Sequence, residues 1–328
     1  MKITPIIRAA LVGALLSGVA AVPSFAAGWR GWNLQPEGYP NTTALEQFVK
    51  DVNSTTGGRL NAQVFNGGVL GDQPDAIEQV RAGALDFADF SMGPMGPIIP
   101  ATNVLSLPYL FNGEDQMHRV MDGAIGKEFS AAMEKQGLVA LAWFDAGARS
   151  FYNTKHPIET PADMKGLKLR VMENDLYVQM VAQLGGNATP MAYGEVYQSL
   201  KTGVIDGAEN NFPSYDSSNH YQVAKYFSVD DHLIIPECLC VSKISWDKLS
   251  PADQAAVQTA ATAAAKAQRD LWAKQVKASE AKMIAAGVKI NEVKNKADFQ
   301  KAMDPVYAKF EAANPDLKAL IEEIKATK

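Results

Sequence analysis

Two arginines and one asparagine-rich stretch carry the residues best suited to hold a small charged molecule. Arg170 lies in Gly166-Leu167-Lys168-Leu169-Arg170-Val171, where the two-residue period of a strand puts Lys168 and Arg170 on one face and the leucines on the other. A partly buried guanidinium needs an anionic partner, because an isolated buried charge is strongly unfavourable. Its planar fork matches a carboxylate bidentately. That carboxylate belongs either to a ligand or to a nearby acid such as Glu173 or Glu209. Arg149, in Asp145-Ala146-Gly147-Ala148-Arg149-Ser150, follows an apolar strand ending at Phe144 and is expected at its C-terminal edge, where open α/β sheets meet their ligands. In Asp206-Gly207-Ala208-Glu209-Asn210-Asn211-Phe212-Pro213-Ser214-Tyr215, the two amides offer donors and acceptors, and Phe212 and Tyr215 offer stacking faces. Such a mixture suits a hydroxylated ligand; it equally suits a turn that caps the next helix.

Catalytic signatures are sparse. The chain has no Gly-x-Ser-x-Gly elbow, no phosphate-binding glycine loop ending in Lys-Ser/Thr and no paired Cys-x-x-Cys set. His118, His156, His220 and His232 are scattered. The grouping His232, Glu237, Cys238 and Cys240 lacks a second ligand pair at zinc spacing, so no metal and no cofactor is expected. An enzyme using a lone acid and base stays open on motifs alone.

These residues are positioned by an α/β alternation. Segments 59–65, 87–91, 138–144, 167–171 and 234–241 read as short buried strands, and 42–52, 75–82 and 174–184 as helices. Ile77-Glu78-Gln79-Val80-Arg81-Ala82-Gly83-Ala84-Leu85-Asp86 echoes Tyr197-Gln198-Ser199-Leu200-Lys201-Thr202-Gly203-Val204-Ile205-Asp206, each a helix ending at a glycine and turning into a strand. The echo suggests two lobes of similar build with ligand between them, chance similarity being the other explanation. Ser250-Pro251-Ala252-Asp253 starts a helix, with Ser250 as cap, and no proline interrupts the alanine-rich pattern before Ala286. At 1.5 Å per residue it would reach about 50 Å, enough to brace both lobes, and no sustained heptad favours a coiled coil instead.

The N-terminus has the layout of a secretory signal peptide: Lys2 and Arg8, an apolar run from Ala9 to Val22, and Ser24-Phe25-Ala26 before a cleavage near Ala26/Ala27. No later run is long enough to span a bilayer, so the mature chain is expected to be soluble and periplasmic. Losing Lys2 and Arg8 shifts the formal charge from −5 to −7, which disfavours nucleic acid and anionic lipid as partners. Cys238 and Cys240 are spaced too tightly for an easy disulfide within a strand and read as buried small residues.

The sequence also resembles the solute-binding proteins of tripartite ATP-independent periplasmic (TRAP) transporters, the dicarboxylate-binding-protein-like (DctP) family, over essentially the whole mature chain. The stretches that carry the resemblance are Gly68-Val69-Leu70-Gly71-Asp72, Gly83-Ala84-Leu85-Asp86, Leu107-Pro108-Tyr109-Leu110-Phe111, Met164-Lys165-Gly166-Leu167-Lys168-Leu169-Arg170-Val171, Pro190-Met191-Ala192-Tyr193-Gly194-Glu195-Val196-Tyr197 and Asp206-Gly207-Ala208-Glu209-Asn210. It implies a two-lobed, type II-like periplasmic binding fold: lobe I mostly 27–147, lobe II mostly 148–235, and 236–328 returning to lobe I before the bracing helix and C-terminal helices. It implies that Arg170 pairs with a ligand carboxylate, that Asn210 orients it and Arg149 supports it, and that Asp72, Ser91, Met172 and Tyr193 line the cleft, with Gln35 in the first loop. The stretches 209–215 and 35–40 look like members that bind hexuronates such as glucuronate and galacturonate, with Asp72, Ser91, Asn211 and Glu237 on the hydroxyls. C4 to C6 dicarboxylates, other sugar acids and aromatic or keto acids remain alternatives. The expected partners are the ligand and the small and large permease subunits. The expected role is a monomeric binder rather than an enzyme, with a sensory ligand-presenting protein and a periplasmic enzyme as competing readings.

Overall fold

The computed structural model describes residues 28–328, so the expected signal peptide, residues 1–26, and its cleavage site lie outside the described residues. Nine strands among those residues form one mixed sheet: β1 (Arg30–Trp32), β2 (Gln63–Phe65), β3 (Phe87–Ser91), β4 (Leu138–Asn153), β5 (Lys168–Val171), β6 (Asn187–Pro190), β7 (Gly207–Asn210), β8 (Tyr226–Ser242) and β9 (Lys289–Glu292). Their order is β2-β1-β3-β8-β4-β7-β5-β6, with β9 beside β8. β1 pairs in parallel with β2 and β3, as β5 does with β6 and β7. β8 runs antiparallel to β3, β4 to β7, and the two long strands to each other. The same three-stranded parallel unit is therefore built twice, and β4 and β8 join the copies into the two-lobed architecture expected from the sequence.

The sequence echo marks equivalent points in the two units. Gly83 (φ 71°) and Gly203 (φ 76°) take the left-handed conformation just past the helices Gln73–Arg81 and Val196–Thr202. Three residues on, the Asp86 carboxylate accepts from the Arg30 N–H at 2.8 Å, and the Asp206 carboxylate accepts from the Lys168 N–H at 3.0 Å. Each aspartate thus anchors the first residue of the central strand of its own unit. The helices expected at 42–52, 75–82 and 174–184 form as Pro40–Thr55, Gln73–Arg81 and Asp175–Gln183. In the last, Asn174 is the cap, its side chain accepting from Leu176 N–H at 2.9 Å. The strand expected at 59–65 is confined to β2, while β1 and β6 were not expected: three and four residues are too short for periodicity to register.

Two strands are longer than the sequence suggested. The strand expected to end at Phe144 continues to Asn153, and the one expected from Ile234 begins at Tyr226. Arg149 is consequently inside β4, opposite Leu233 of β8, and not at a strand edge. The misleading signal was the Asp145–Ala148 stretch. Its register shift, with Gly147 at φ 61°, looks like a strand end in sequence but is a bulge that lets the strand bend and carry on. The expected boundaries at 147/148 and 235/236 both fall inside these crossing strands.

The long helix forms as Pro251–Ala285, with Ser250 Oγ accepting from Asp253 N–H at 3.1 Å. It reaches both units: Arg59 pairs with Asp253 at one end, and Ser279 and Lys282 bond Asp216 at 3.0 and 2.5 Å at the other. At its middle, Trp272 lies so close to Gly147 that a β-carbon there would meet the indole at 2.8 Å. No helix among the described residues is long and apolar enough to cross a membrane.

Gly147→Ala adds both left-handed strain and a clash, whereas Gly166→Ala, at φ 78° with no atom within 4 Å of the new β-carbon, adds strain alone. Urea denaturation should show a loss of about 2–4 kcal/mol for Gly147→Ala and about 1 kcal/mol for Gly166→Ala. Equal losses would mean that contact with Trp272 does not fix the bend of β4.

Candidate functional site

The two arginines differ in what surrounds them. Arg149 is 4% exposed, and its fork is already engaged. Nε donates to Glu209 Oε2 at 2.6 Å, Nη2 to Glu209 Oε1 at 2.9 Å and to its backbone carbonyl at 3.0 Å, and Nη1 to Asn210 Oδ1 at 2.8 Å. Burial would raise the Glu209 carboxyl, but Arg149 and His232 together hold it down at about 2. His232 in turn is fully buried, stacked on Phe151 with ring centroids 4.1 Å apart, and its Nδ1 lies 2.9 Å from Asp230 Oδ1. Burial would lower its value; the Asp230 and Glu209 carboxylates raise it to about 9. Asp230, His232, Glu209 and Arg149 therefore form a chain of alternating charge closed within the protein.

Arg170 has no such closure. It is 3% exposed, its Nε donates to the Met191 carbonyl at 2.9 Å, and its guanidinium lies 6.0 Å from the centroid of the Tyr193 ring. Among the described residues neither of its Nη groups has a hydrogen-bond partner and no carboxylate forms a salt bridge with it. Of the acids considered for it, Glu209 is committed to Arg149, and Glu173 is exposed at the rim. Burial pushes the Arg170 guanidinium below its ordinary value, although an arginine stays charged at any physiological pH. A desolvated cation facing a cleft without a counter-ion is a site for an anion.

That cleft, about 550 Å³, brings together all ten residues singled out in the sequence: Gln35, Asp72, Ser91, Arg149, Arg170, Met172, Tyr193, Asn210, Asn211 and Glu237. It lies where β1, β3, β5 and β7 end, the usual place for a ligand in an open α/β sheet. The ten are not equivalent there. Asn210 has Oδ1 occupied by Arg149 and by the Asn211 N–H at 2.9 Å, which leaves its Nδ2 donors uncommitted. Asn211 spends both ends of its amide on the fold: Oδ1 caps the Phe212–Ser217 helix by accepting from Ser214 N–H at 2.7 Å, and Nδ2 donates to the Ala146 carbonyl at 2.7 Å. For that residue the helix-capping alternative describes the geometry. Gln35 is buried with its Oε1 unpartnered among the described residues, an acceptor awaiting a donor. Asp72 is exposed at the rim, and Tyr193 O–H donates to the Ser214 carbonyl at 3.2 Å.

Residues the sequence reasoning missed are mostly supports. Gln73 fixes Ser91 by donating to its carbonyl at 2.7 Å and accepting its N–H at 3.2 Å. Asn41, buried behind the cleft, donates to Glu237 Oε2 at 2.6 Å and Asp89 Oδ2 at 3.0 Å. Neither has a sequence signature, since each acts through contacts with segments far along the chain. The grouping His232, Glu237, Cys238 and Cys240 does not converge. His232 is turned to Asp230, Glu237 lines the cleft, and the cysteines are free and buried in β8, as expected of packing residues. No cluster of His, Cys, Asp and Glu able to hold a metal occurs among the described residues.

A two-unit sheet with an unneutralised guanidinium and free amide donors in the cleft between the units defines a binding protein for a small anion. Residues 33–314 match the model of the DctP family, described as bacterial extracellular solute-binding protein, family 7, and the chain belongs to that family. It is 59% identical over 317 residues to a solute-binding protein of Chromohalobacter salexigens, covering 97% of this chain and 94% of the relative. A crystal structure of a TRAP periplasmic solute-binding protein from the same organism, with bound D-glucuronate, superposes with a TM-score of 0.91 at 60% identity, covering 92% of this chain and 100% of that one. A Sulfitobacter TRAP periplasmic solute-binding protein with bound β-D-galacturonate gives 0.90 at 53% identity, covering 91% and 99%.

Arg149→Met takes from Glu209 its bidentate partner, leaving only the His232 ring 3.5 Å away, and should cost about 3–5 kcal/mol of unfolding free energy. Arg170→Met removes an unpaired charge and should leave stability unchanged or raise it by up to about 2 kcal/mol. Chemical denaturation of the two variants distinguishes them, and an equal loss would mean that Arg170 is paired inside the protein. The raised value of His232 contributes stability that is full below pH 6.5 and is lost as pH rises through about 9, while Glu209 contributes above 4.5 and is lost as pH falls toward 2. His232→Asn, which keeps an N–H toward Asp230, should flatten the fall in melting temperature between pH 6.5 and 9 and reduce the acid limb without abolishing it, since Arg149 still holds the Glu209 carboxyl down.

Proposed function

We propose that this protein is the solute-capturing component of a TRAP transporter and that its ligand is a hexuronate, D-glucuronate or D-galacturonate. The observation that carries the reading is the buried guanidinium of Arg170, which faces the cleft with both Nη groups free and no carboxylate paired with it among the described residues. The ligand carboxylate pairs with this fork. Asn210 Nδ2 and the remaining N–H of Arg149 Nη1 direct it, and Gln35, Ser91, Asp72 and Glu237 take the hydroxyls. Relatives that hold uronates at 53–60% identity support the sugar-acid class over a C4 to C6 dicarboxylate or a keto acid.

Delivery follows from closure. Tyr39 O–H and Ser214 Oγ meet at 2.9 Å, Asn174 Nδ2 donates to the Gly93 carbonyl at 2.8 Å, and Tyr177 O–H donates to Ser106 Oγ at 2.9 Å, each bond linking a segment of one unit to a segment of the other. A ligand that touches both units favours this arrangement by its differential affinity for it. The closed form then docks on the permease subunits, and the ligand is released unchanged; the role is binding rather than catalysis. Export through the N-terminal signal, with cleavage near Ala26/Ala27, places it in the periplasm, where its relatives work.

Calorimetry and thermal shift of the mature protein against hexuronates, aldonates, dicarboxylates and keto acids test this. A bound hexuronate should raise the melting temperature, and Arg170→Ala should weaken its binding by about 100-fold or more while the apo protein melts as before. A rise with dicarboxylates alone would keep the transport role and overturn the ligand.

A further inference from the structure

The cleft wall made by β3 and β8 contains two carboxyl groups and no cation of its own. Glu237 is paired with Ser91 across the two strands and lines the cleft; Asp89, two residues before Ser91, lies behind it, 3% exposed. Neither forms a salt bridge among the described residues. Both accept from one Asn41 side chain, Glu237 Oε2 at 2.6 Å and Asp89 Oδ2 at 3.0 Å, while Asp89 Oδ1 is buried without a partner. Asn41 cannot be turned to offer its oxygen instead, because Oδ1 accepts from Gln268 Nε2 at 2.7 Å. Gln268 is itself fixed by both backbone groups of Asp145, accepting the N–H at 2.9 Å and donating to the carbonyl at 3.0 Å. Two buried carboxylates that accept from one amide nitrogen, with no salt bridge to either, oppose each other's ionisation.

We propose that Asp89 and Glu237 hold one proton between them, carried by Glu237, and that this neutral carboxyl makes the wall a selector for the uncharged, hydroxyl-bearing end of a monoanionic sugar acid against a second carboxylate. The inference rests on the hexuronate reading for the ligand, not for the proton. Burial and the Asp89 charge push the Glu237 carboxyl well above the usual range, and burial raises Asp89 to about 6 against the pull of Glu237 and Asn41. The groups facing the pair are Arg149 from β4, Tyr39 from the loop after β1, and Cys240 on β8. Only Arg149 is a cation, and it is spent on Glu209. The cleft thus has a cationic pole at Arg170, on the second parallel unit, and an uncharged, anion-averse face at Glu237 on the opposite wall. A uronate presents one carboxylate and one hydroxylated end to these two surfaces; a hexarate of the same carbon count must press its second carboxylate against Glu237 and the charge of Asp89.

Two measurements test this. The infrared spectrum of the ligand-free protein at neutral pH should contain a protonated-carboxyl stretch that disappears in Glu237→Gln. Calorimetry should show glucuronate bound roughly 10- to 100-fold more tightly than glucarate, and Asp89→Asn/Glu237→Gln, checked by circular dichroism for folding, should shrink that ratio by roughly tenfold. Glu237→Gln alone, which leaves a neutral amide before the charge of Asp89, should keep the ratio, so that the loss in the double variant reports that charge. Lack of the carboxyl band, or a ratio unchanged in the double variant, overturns the inference. A protein that keeps the band and binds no hexuronate overturns the ligand reading instead and leaves the shared proton standing.

Discussion

The bidentate pairing of Arg149 with Glu209 is the constraint on which the rest of the site depends. A buried arginine and a buried glutamate are each strongly unfavourable alone, and together they satisfy one another through three short bonds to the carboxylate and carbonyl of Glu209. By taking Glu209, Arg149 removes the acid that Arg170 would otherwise use. Binding capacity at Arg170 is thus produced by a pairing one strand away. His232 and Asp230 extend the same chain of charge beneath Glu209, so the carboxylate cannot swing toward the cleft without leaving Arg149 unpaired.

The crossing strands give this electrostatic arrangement its mechanical setting. β4 and β8 run through both units, and each bends where its pairing shifts register, around Asp145–Ala148 and opposite Leu233–Pro236. Arg149 stands just past that bend, so the charge chain lies beside the irregular stretch of the crossing strands. The long helix touches the bend at Gly147 through Trp272 and at Asp145 through Gln268, and it bonds the second unit at Asp216. These contacts tie the one helix both to the bend and to the second unit. Gln268 also reaches through Asn41 to the carboxyl pair in the wall, which ties the proton-sharing groups to the same brace.

Polarity within the cleft follows from the duplication of the parallel unit. The two sides of the cleft carry opposite chemistry: Arg170 of β5 with free donors on one, Ser91 of β3 and Glu237 of β8 backed by Asp89 on the other. A symmetric scaffold has therefore been given an asymmetric pair of surfaces, one for charge and one for hydroxyls, which is the chemistry of a molecule with a single carboxylate at one end.

By itself the sequence determined the main elements and many of the residues that reach the cleft. Alternating and helical periodicity located β3 and the main helices, Ser250 and Pro251 placed the start of the long helix, and the glycine–aspartate echo marked the repeated turn, because these are signals of local backbone and burial that neighbouring residues carry. Residue chemistry and the family resemblance together pointed to ten of the residues that line the cleft. Only the tertiary structure decided what each of them is free to do. Whether Glu209 neutralises Arg149 or Arg170, whether Asn211 faces a ligand or caps a helix, and whether Glu237 meets a cation or a second carboxyl depend on partners up to 196 residues away in the chain. Such pairings are set by the distances that folding creates, and burial then makes each one decisive, since a polar group out of water is either satisfied by its neighbours or available to a ligand.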